Sequence, residues 1–221
     1  MNIAFIPARK GSKSIPLKNI NPFCGHPLIY WTLLAAEKSK LIDQVILATD
    51  SETIAATAQG FNFQKLKIYK RDPENATDTA STEAVMLEYL NKTKSQYNQD
   101  DKFILLQATS PFTKAKDIDS AIGLLAEGFD SVLSVVPFKR FLWKKTGTPL
   151  NYDYKNRLRR QNVAPNYLEN GALYINSVVG ILSSKNRLQG NIGLYIMPEY
   201  TGVEIDEPQD WVIAETIFRR Y

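Results

Sequence analysis

Cysteine and histidine are almost absent from this chain of 221 residues, which has one of each, Cys24 and His26. One cysteine cannot form an internal disulfide, and so few sulfur and imidazole ligands cannot build a zinc site. A single histidine also argues against a Ser/His/Asp hydrolase. We therefore expect a reduced, cytoplasmic protein in which Cys24 is a packing residue and His26 has a structural role.

Long apolar runs and the two common phosphate loops are missing as well. No window approaches about eighteen consecutive apolar residues and no charged leader precedes an apolar run, so neither a membrane span nor a secretory signal is predicted. After Gly11 the next glycine is Gly25. This spacing fits neither the G-x-x-x-x-G-K-[ST] loop nor the G-x-G-x-x-G fingerprint.

The composition is ordinary for a globular protein, and the length suits a single domain over residues 1–221. The formal net charge is +4 and the isoelectric point is near 9.0, which permits a polyanionic partner without demanding one. The basic residues cluster only at 9–18, 139–145 and 155–160. No nucleic-acid-binding motif accompanies them, so we expect no nucleic-acid partner.

Short apolar runs alternate with amphipathic stretches along most of the chain. Strands buried on both faces are predicted at 3–7, 44–50, 102–107 and 131–137, and helices at 27–40, 51–60, 79–93 and 115–128. Two later strands, at 171–177 and 192–198, and a helix at 207–221 complete the pattern. The alternation predicts an α/β fold, Rossmann-like and doubly wound around a mainly parallel sheet.

The alternation of predicted strands and helices stops between 138 and 166, where the segment is basic, aromatic and rich in turn residues. We predict an excursion from the sheet there, in the form of a hairpin. Its exposed aromatic residues are compatible with a local core or with a subunit contact, and both alternatives stay open.

The first predicted strand runs directly into four cations, Arg9, Lys10, Lys13 and Lys18. Like charges so close together repel unless an anion sits among them. Ligands of open α/β sheets bind outside the carboxyl ends of the strands, and the glycine and serines of this loop offer backbone amides and hydroxyls. A phosphate chain is the expected ligand.

Seven segments in order then carry a family resemblance. They are ARKGSKSIPLKN (8–19), ATDS (48–51), ATDTAS (76–81), LLQATSP (105–111), RQ (160–161), NGALYI (170–175) and VEIDEPQDW (203–211). The first resembles the A-R-x-x-S-K-x-x-P-x-K-N loop of the CMP-sialic acid synthetases (acylneuraminate cytidylyltransferases), and the others recur there in the same order. The related CMP-Kdo synthetases share the fold but have a different opening loop.

The resemblance implies that CTP and a nine-carbon α-keto acid sugar give a CMP-sugar and pyrophosphate. It implies catalytic roles for Arg9, Lys18 and Asp206. It assigns the nucleotide to Ala8, Arg9, Ser12, Lys13, Asn19, Arg71, Asp78 and Ser81. The family motif does not fix Lys10, which we expect to be an ordinary surface lysine, and helix capping is an alternative role for Asp78 and Thr79.

The resemblance places the acid sugar against Gln107, Lys144, Arg160, Asn170 and Tyr174. Arg160 would bind the sugar carboxylate through two hydrogen bonds of its guanidinium, with Lys144 as a second cation. The family usually has proline where this chain has Ala108, so this turn lacks the backbone restriction that a proline ring imposes.

Mg²⁺ is the implied cofactor, with Asp206 and Glu204 as its ligands. One residue separates them, so on a strand both would point to one face. The family usually has aspartate at the first position, which makes Asp206 the safer ligand; a strand end that caps the last helix is the alternative role. Asp210 is expected to be an ordinary carboxylate of that helix's first turn.

The resemblance also implies a homodimer whose excursion reaches the partner's sugar site. Two other functions remain open from the sequence: a catalytically silent nucleotide-sugar-binding protein of the same fold, favoured only by Glu204 and Ala108, and a CMP-Kdo synthetase-like enzyme.

Overall fold

The predicted alternation of strands and helices is present in a computed structural model that describes residues 1–11, 14–98, 100–164 and 166–221, with the side chain of Arg160 left out. The strands are β1 (Asn2–Pro7), β2 (Pro22–Phe23), β3 (His26–Pro27), β4 (Gln44–Thr49), β5 (Leu66–Lys70), β6 (Lys102–Leu106), β7 (Ser131–Phe138), β8 (Asn166–Ser177) and β9 (Ile192–Ile196). The helices are α1 (Leu28–Lys38), α2 (Glu52–Gln59), α3 (Thr82–Lys92), α4 (Ala115–Leu124), α5 (Val178–Ser184) and α6 (Pro208–Phe218).

Seven of the strands form one sheet in the order β5-β4-β1-β6-β8-β7-β9. Every neighbouring pair is parallel except for β8, which runs antiparallel to both β6 and β7. The predicted fold class, a mainly parallel α/β sheet, is confirmed. The carboxyl ends of β1, β4 and β6 meet at one edge of this sheet, and the loops that follow them are neighbours there.

The apolar runs of the strands are continuous because helices cover both faces of the sheet. In β1, Ile3 and Phe5 pack on the side of α3 and α5, whereas Ala4 and Ile6 pack on the side of α1, α2 and α4. All four side chains are fully buried. The period of two along each strand therefore divides the core into two layers, one on each face.

The strand β8 is longer than the sequence predicts, since it begins at Asn166 rather than at 171. Its first four residues pair with the last four of β7, from Asn166 opposite Phe138 to Glu169 opposite Val135, and a bulge follows between Leu133 and Val135. The segment 166–169 lacks the continuous apolar run of the buried strands because all four of its residues are exposed where the pair leaves the core.

The excursion between β7 and β8 is an irregular loop with one isolated bridge, between Trp143 and Pro149. The rings of Phe141 and Tyr152 lie 4.2 Å apart, and the Arg157 guanidinium lies 4.6 Å from the Phe141 ring. Trp143 nevertheless remains 49% exposed. The aromatic residues thus form a local cluster and also leave apolar surface uncovered, so both predicted roles remain open.

Cys24 and His26 lie in the short β2–β3 hairpin, and both have the structural roles expected of them. The Cys24 Sγ contacts the Glu215 carbonyl at 3.8 Å, and the His26 ring stacks on Tyr30 at 4.0 Å. None of the helices in the described ranges has the length and apolarity needed to cross a membrane.

Asp119 joins α4 to the end of α1 through three hydrogen bonds. Its carboxylate accepts from the Ser39 hydroxyl at 2.5 Å and from the Lys40 and Leu41 amides at 3.1 Å each. Burial alone would raise the pKa of Asp119, but these bonds outweigh burial and lower it. The ionised carboxylate therefore stabilises the fold above the unfolded pKa of about 3.9, and this stability is lost as the pH falls through the lowered folded pKa.

We expect Asp119→Asn to reduce the free energy of unfolding by about 1–2 kcal/mol at pH 7, because a carboxylate that accepts three hydrogen bonds is lost. The difference in the free energy of unfolding between the variant and the wild type should become smaller below about pH 4, where the wild-type carboxylate also protonates. Urea unfolding at pH 7 and pH 3 measures it, with the exposed Asp100→Asn as control. An equal deficit at both pH values would contradict the role of the charge.

Candidate active site

The loop after β1 folds back over the carboxyl edge of the sheet and is held there by backbone and amide contacts. The Ala8 amide donates to the Ala48 carbonyl at 2.9 Å, which continues the pairing of β1 with β4. The buried Asn19 side chain donates from Nδ2 to the Arg9 carbonyl at 3.1 Å. Asn19 is therefore a brace of the loop as well as a residue that lines the cavity beneath it.

Two of the four cations of the loop are paired with carboxylates from distant parts of the chain. Arg9 Nη1 lies 2.5 Å from Asp78 Oδ1, and Lys18 Nζ lies 3.1 Å from Asp206 Oδ1. Lys18 Nζ also donates to the Ile205 carbonyl at 2.6 Å. The carboxylates of Asp78 and Asp206 thus offset much of the repulsion expected between the cations of this loop.

The other two cations of the loop are Lys10 and Lys13. Lys10 is exposed and does not line the cavity, as the sequence predicts, and its amide donates to Asp50 at 2.8 Å. Ser12 and Lys13 lie outside the described residues, so their predicted nucleotide roles stay predictions.

A first cavity of about 460 Å³ opens between this loop, the start of α3 and the end of β6. Eight predicted site residues line it together: Arg9, Lys18, Asn19, Arg71, Asp78, Ser81, Gln107 and Asp206. These side chains come from five separate segments of the sequence. The arrangement is a polar, mixed-charge cavity at the carboxyl edge of a parallel sheet, where such folds bind ligands.

Arg71 stands out in this first cavity because its guanidinium is buried and incompletely bonded. Its Nη2 donates to the Asn75 carbonyl, but its Nε has no hydrogen-bond partner within the part of the chain that is described. Burial lowers the pKa of Arg71, although Asp50 and Glu88 act in the opposite direction. A buried donor without a partner is costly unless a ligand supplies an acceptor.

Ser81 caps α3, since its hydroxyl accepts from the Ala84 amide at 3.1 Å. The helix predicted at 79–93 begins instead at Thr82, and Asp78 and Thr79 precede it. The alternative role of Asp78 and Thr79 as helix caps is therefore excluded, because Ser81 occupies the N-cap position and Asp78 contacts Arg9.

A second cavity of about 330 Å³ adjoins the first and shares Gln107, Thr109 and Asp206 with it. Gln107, Asn170 and Tyr174, all predicted to contact the sugar, line this second cavity together with Glu204. The geometry therefore brings three of the five predicted sugar residues into one place.

Asn170 is nevertheless held by protein contacts. Its Nδ2 donates to Thr201 Oγ1 at 3.2 Å, and its Oδ1 accepts from Ser134 Oγ at 2.6 Å. The side chain is 3% exposed. Asn170 braces the wall of the second cavity, and its amide is already engaged on both sides.

Glu204 and Asp206 do not lie on a strand, so that expectation is wrong. They belong to an irregular segment before α6, which pairs with no strand of the described sheet. Ile205 between them is buried, so both carboxylates still turn the same way and line the second cavity. Asp210 accepts from the Asp206 and Glu207 amides at 3.1 and 2.8 Å, which fits its expected first-turn role.

Lys144 and Arg160 are not brought to the second cavity by any described contact. Lys144 starts a turn in the excursion, where its carbonyl accepts from the Gly147 amide at 3.0 Å, and it lines neither cavity. Arg160 begins a short 3-10 helix, Arg160–Asn162, and its side chain lies outside the described set. Their roles toward a sugar carboxylate stay predictions.

Glu169 is a residue of the second cavity that the sequence analysis did not single out. The Tyr174 hydroxyl donates to its Oε1, and burial raises the pKa of that hydroxyl, which keeps it protonated. The Arg187 guanidinium lies 4.8 Å from the Tyr174 ring. Only its position next to the NGALYI segment could have drawn attention to Glu169.

Comparison with known proteins gives the family. The sequence model of the cytidylyltransferases matches residues 3–183. The chain belongs to the cytidylyltransferase family. The chain is 36% identical to N-acylneuraminate cytidylyltransferase A of Danio rerio over 99% of its own length, but it spans only about half of that relative, 51%.

One further relative supports this family, and one solved structure shares the fold. The chain is 30% identical to the CMP-N,N'-diacetyllegionaminic acid synthase of Legionella pneumophila, with 97% of this chain and 95% of that protein covered. Among solved structures, the CMP:2-keto-3-deoxy-manno-octonic acid synthetase complexed with CTP has the same fold, with a TM-score of 0.74, 15% identity, and 99% and 98% coverage.

Gly171 shapes the wall that the two cavities share. Its φ of +66° is a left-handed conformation, and an added Cβ would lie 3.3 Å from the Gln107 side-chain oxygen. We expect Gly171→Ala to lower the free energy of unfolding by about 1–2 kcal/mol. The control is Gly123→Ala within α4, where a Cβ meets open space, and it should raise stability by up to about 1 kcal/mol. Urea unfolding of both variants measures the difference, and equal effects would contradict it.

Proposed function

We propose that this cytidylyltransferase uses CTP to activate a nine-carbon α-keto acid sugar, giving a CMP-sugar and pyrophosphate. The observation that carries the proposal is the pair of adjoining cavities that share Gln107 and Asp206. One cavity has cations suited to a triphosphate, and the other has polar groups suited to a hydroxylated sugar. Their common wall is where the two reacting atoms would meet.

The triphosphate occupies the first cavity in this proposal. Arg9 and Lys18 lie on its walls, each already beside a carboxylate, so bound phosphate would join existing ion pairs rather than enter a purely positive site. Lys18 is 12% exposed, so its charge is poorly screened by water. It is the stronger candidate to stabilise charge on the leaving pyrophosphate.

The sugar occupies the second cavity, with its anomeric hydroxyl toward Asp206. A new bond forms from this oxygen to the α-phosphorus as the bond to the β-phosphate oxygen breaks, and the hydroxyl proton passes to the Asp206 carboxylate. Gln107, an uncharged side chain on the shared wall, holds a hydroxyl or a nucleotide edge. The protein's part in such a reaction is positioning and charge stabilisation.

Mg²⁺ is the cofactor that we propose, held by Asp206 and Glu204. Magnesium in phosphate sites takes one or two carboxylates and completes its shell with substrate phosphates and water, and these two exposed carboxylates on one cavity wall fit that donor set. No group of three or more His, Cys, Asp or Glu with metal-site geometry occurs among the described residues. When bound, the ion would neutralise phosphate charge.

The substrate class, the assembly and the compartment belong to the same proposal. The names of the relatives, N-acylneuraminate cytidylyltransferase and CMP-N,N'-diacetyllegionaminic acid synthase, support an acidic nine-carbon sugar. The exposed Trp143 of the excursion supports a homodimer, which would bring Lys144 and Arg160 toward a sugar carboxylate. The reduced single cysteine supports the cytoplasm.

A pyrophosphate-release assay tests this function. The protein is mixed with Mg²⁺, one of the four nucleoside triphosphates, and one of a panel of nonulosonic and octulosonic acids. We expect turnover with CTP and a nine-carbon acid. Preference for the eight-carbon acid would favour the CMP-Kdo synthetase-like alternative, and no turnover with any acid would favour the silent binding protein.

Asp206→Asn should reduce kcat by at least about 100-fold, because the variant loses the carboxylate that both cavities share. The melting temperature should stay close to the wild type, since Asp206 is exposed. Asp100→Asn, at an exposed position away from both cavities, is the matched control. Near wild-type turnover by Asp206→Asn would remove this residue from the reaction.

Ser81→Ala and Ser51→Ala separate a capping role from a nucleotide role. Each serine caps a helix, α3 and α2 respectively, so each loss should cost about 1 kcal/mol of stability. Only Ser81 lines the first cavity, so only its loss should also raise the KM for CTP, by about 5- to 20-fold. Equal KM values for CTP in the two variants would show that Ser81 caps α3 but does not contact the nucleotide.

A further inference from the structure

Glu169 has a position that the proposed reaction does not yet use. It lies on β8, opposite Val135 of β7, so its backbone belongs to the sheet rather than to a mobile loop. Its side chain lines the second cavity with Glu204 and Asp206. A ligand in this cavity therefore faces an acidic wall built partly on a rigid strand.

A chain of contacts fixes the orientation of this carboxylate. The Tyr174 hydroxyl donates to Glu169 Oε1, and the Arg187 guanidinium lies 4.8 Å from the Tyr174 ring. Arg187 Nε in turn lies 2.5 Å from Glu83 Oε1, in the first turn of α3. The carboxylate is thus held by residues of β8, α3 and the segment after α5, which lowers the entropy cost of using it on a ligand.

One oxygen of Glu169 remains for a ligand. Oε1 accepts from Tyr174, and no hydrogen bond to Oε2 is found among the residues with a described structure. A carboxylate is an acceptor only, so this oxygen can take a hydrogen bond from a hydroxyl or an amide N–H. It repels a second carboxylate, because two negative charges at close range are unfavourable.

We propose that Glu169 is a specificity-determining residue, whose Oε2 accepts a hydrogen bond from one hydroxyl or amide N–H of the acidic sugar. This inference rests on the proposed function. It fixes the orientation of the substrate: the sugar's hydrogen-bond donors face Glu169, and its own carboxylate points away from the acidic wall. Tyr174 and Arg187 are positioning residues that act through Glu169.

The test measures kcat/KM for the accepted sugar and for a panel of analogues, each lacking one hydroxyl or with its acylamino N–H replaced. In the wild type, one analogue should lose about 10- to 100-fold, as expected for one hydrogen bond to a charged group. In Glu169→Gln, the penalty for that analogue should fall below about threefold. Penalties for the other analogues and the KM for CTP should change less than about twofold.

Two further variants keep the result interpretable. Glu127→Gln, at an exposed position in the short 3-10 helix after α4, should keep the wild-type profile. Tyr174→Phe retains the ring beside Arg187 but loses the hydroxyl that holds Glu169. In this variant, the loss of kcat/KM for the analogue that lacks the donor to Glu169 should be smaller than in the wild type but larger than in Glu169→Gln. Tyr174→Phe serves as the deciding variant if Glu169→Gln has no measurable turnover.

An unchanged profile in Glu169→Gln, or in Tyr174→Phe where that variant decides, would overturn the inference. So would a wild type that tolerates every analogue equally. A wild type without turnover on any acid sugar would instead overturn the proposed function; calorimetric binding of the same panel would then decide whether Glu169 selects a donor.

Discussion

The contact of Lys18 with the segment before α6 is the interaction on which the site depends. Lys18 Nζ reaches both the Ile205 carbonyl and the Asp206 carboxylate, and so joins residues 188 positions apart in the chain. A second contact joins the same two segments, since the Ser14 hydroxyl donates to the Glu207 carboxylate at 3.0 Å, but only the Lys18 contact places a cation against the acidic segment. With it, a cation and a carboxylate face one cavity, where each offsets the charge of the other before any ligand binds.

The sheet makes this contact possible by bringing distant chain segments to one edge. The loop after β1 lies beside those after β4 and β6 because these strands are parallel neighbours. The reversed β8 then brings Asn170, Gly171 and Tyr174 against Gln107, since β6 and β8 pair in antiparallel register. One edge of one sheet thus carries two adjoining cavities with different chemistry.

The sequence predicted the fold well because its strands are buried on both faces, so that their apolar runs are continuous and end in helix caps such as Ser51. It predicted less well where polar residues belong to strands. The segment 166–169 pairs with β7 where both of its faces are exposed, so its mixed sequence has no apolar run that marks a strand. The segment 203–206 has the opposite property, with a strand-like alternation but no strand partner in the described sheet.

The candidate site was predicted as a set of residues, but the roles of several depended on contacts that no spacing reveals. Ser81 rather than Asp78 caps α3, and Asn170 is held by Ser134 and Thr201. Glu169 was missed because a lone glutamate in a polar stretch carries no pattern. Its importance comes from Tyr174 and from the cavity, both of which exist only after folding.

A crystal structure of the protein with CTP tests the central claim most directly. The account predicts the triphosphate in the first cavity, with phosphate oxygens between Arg9 and the Lys18–Asp206 pair and the α-phosphorus at the wall shared with the second cavity. A nucleotide bound elsewhere, or one whose α-phosphorus points away from Gln107 and Asp206, would contradict it.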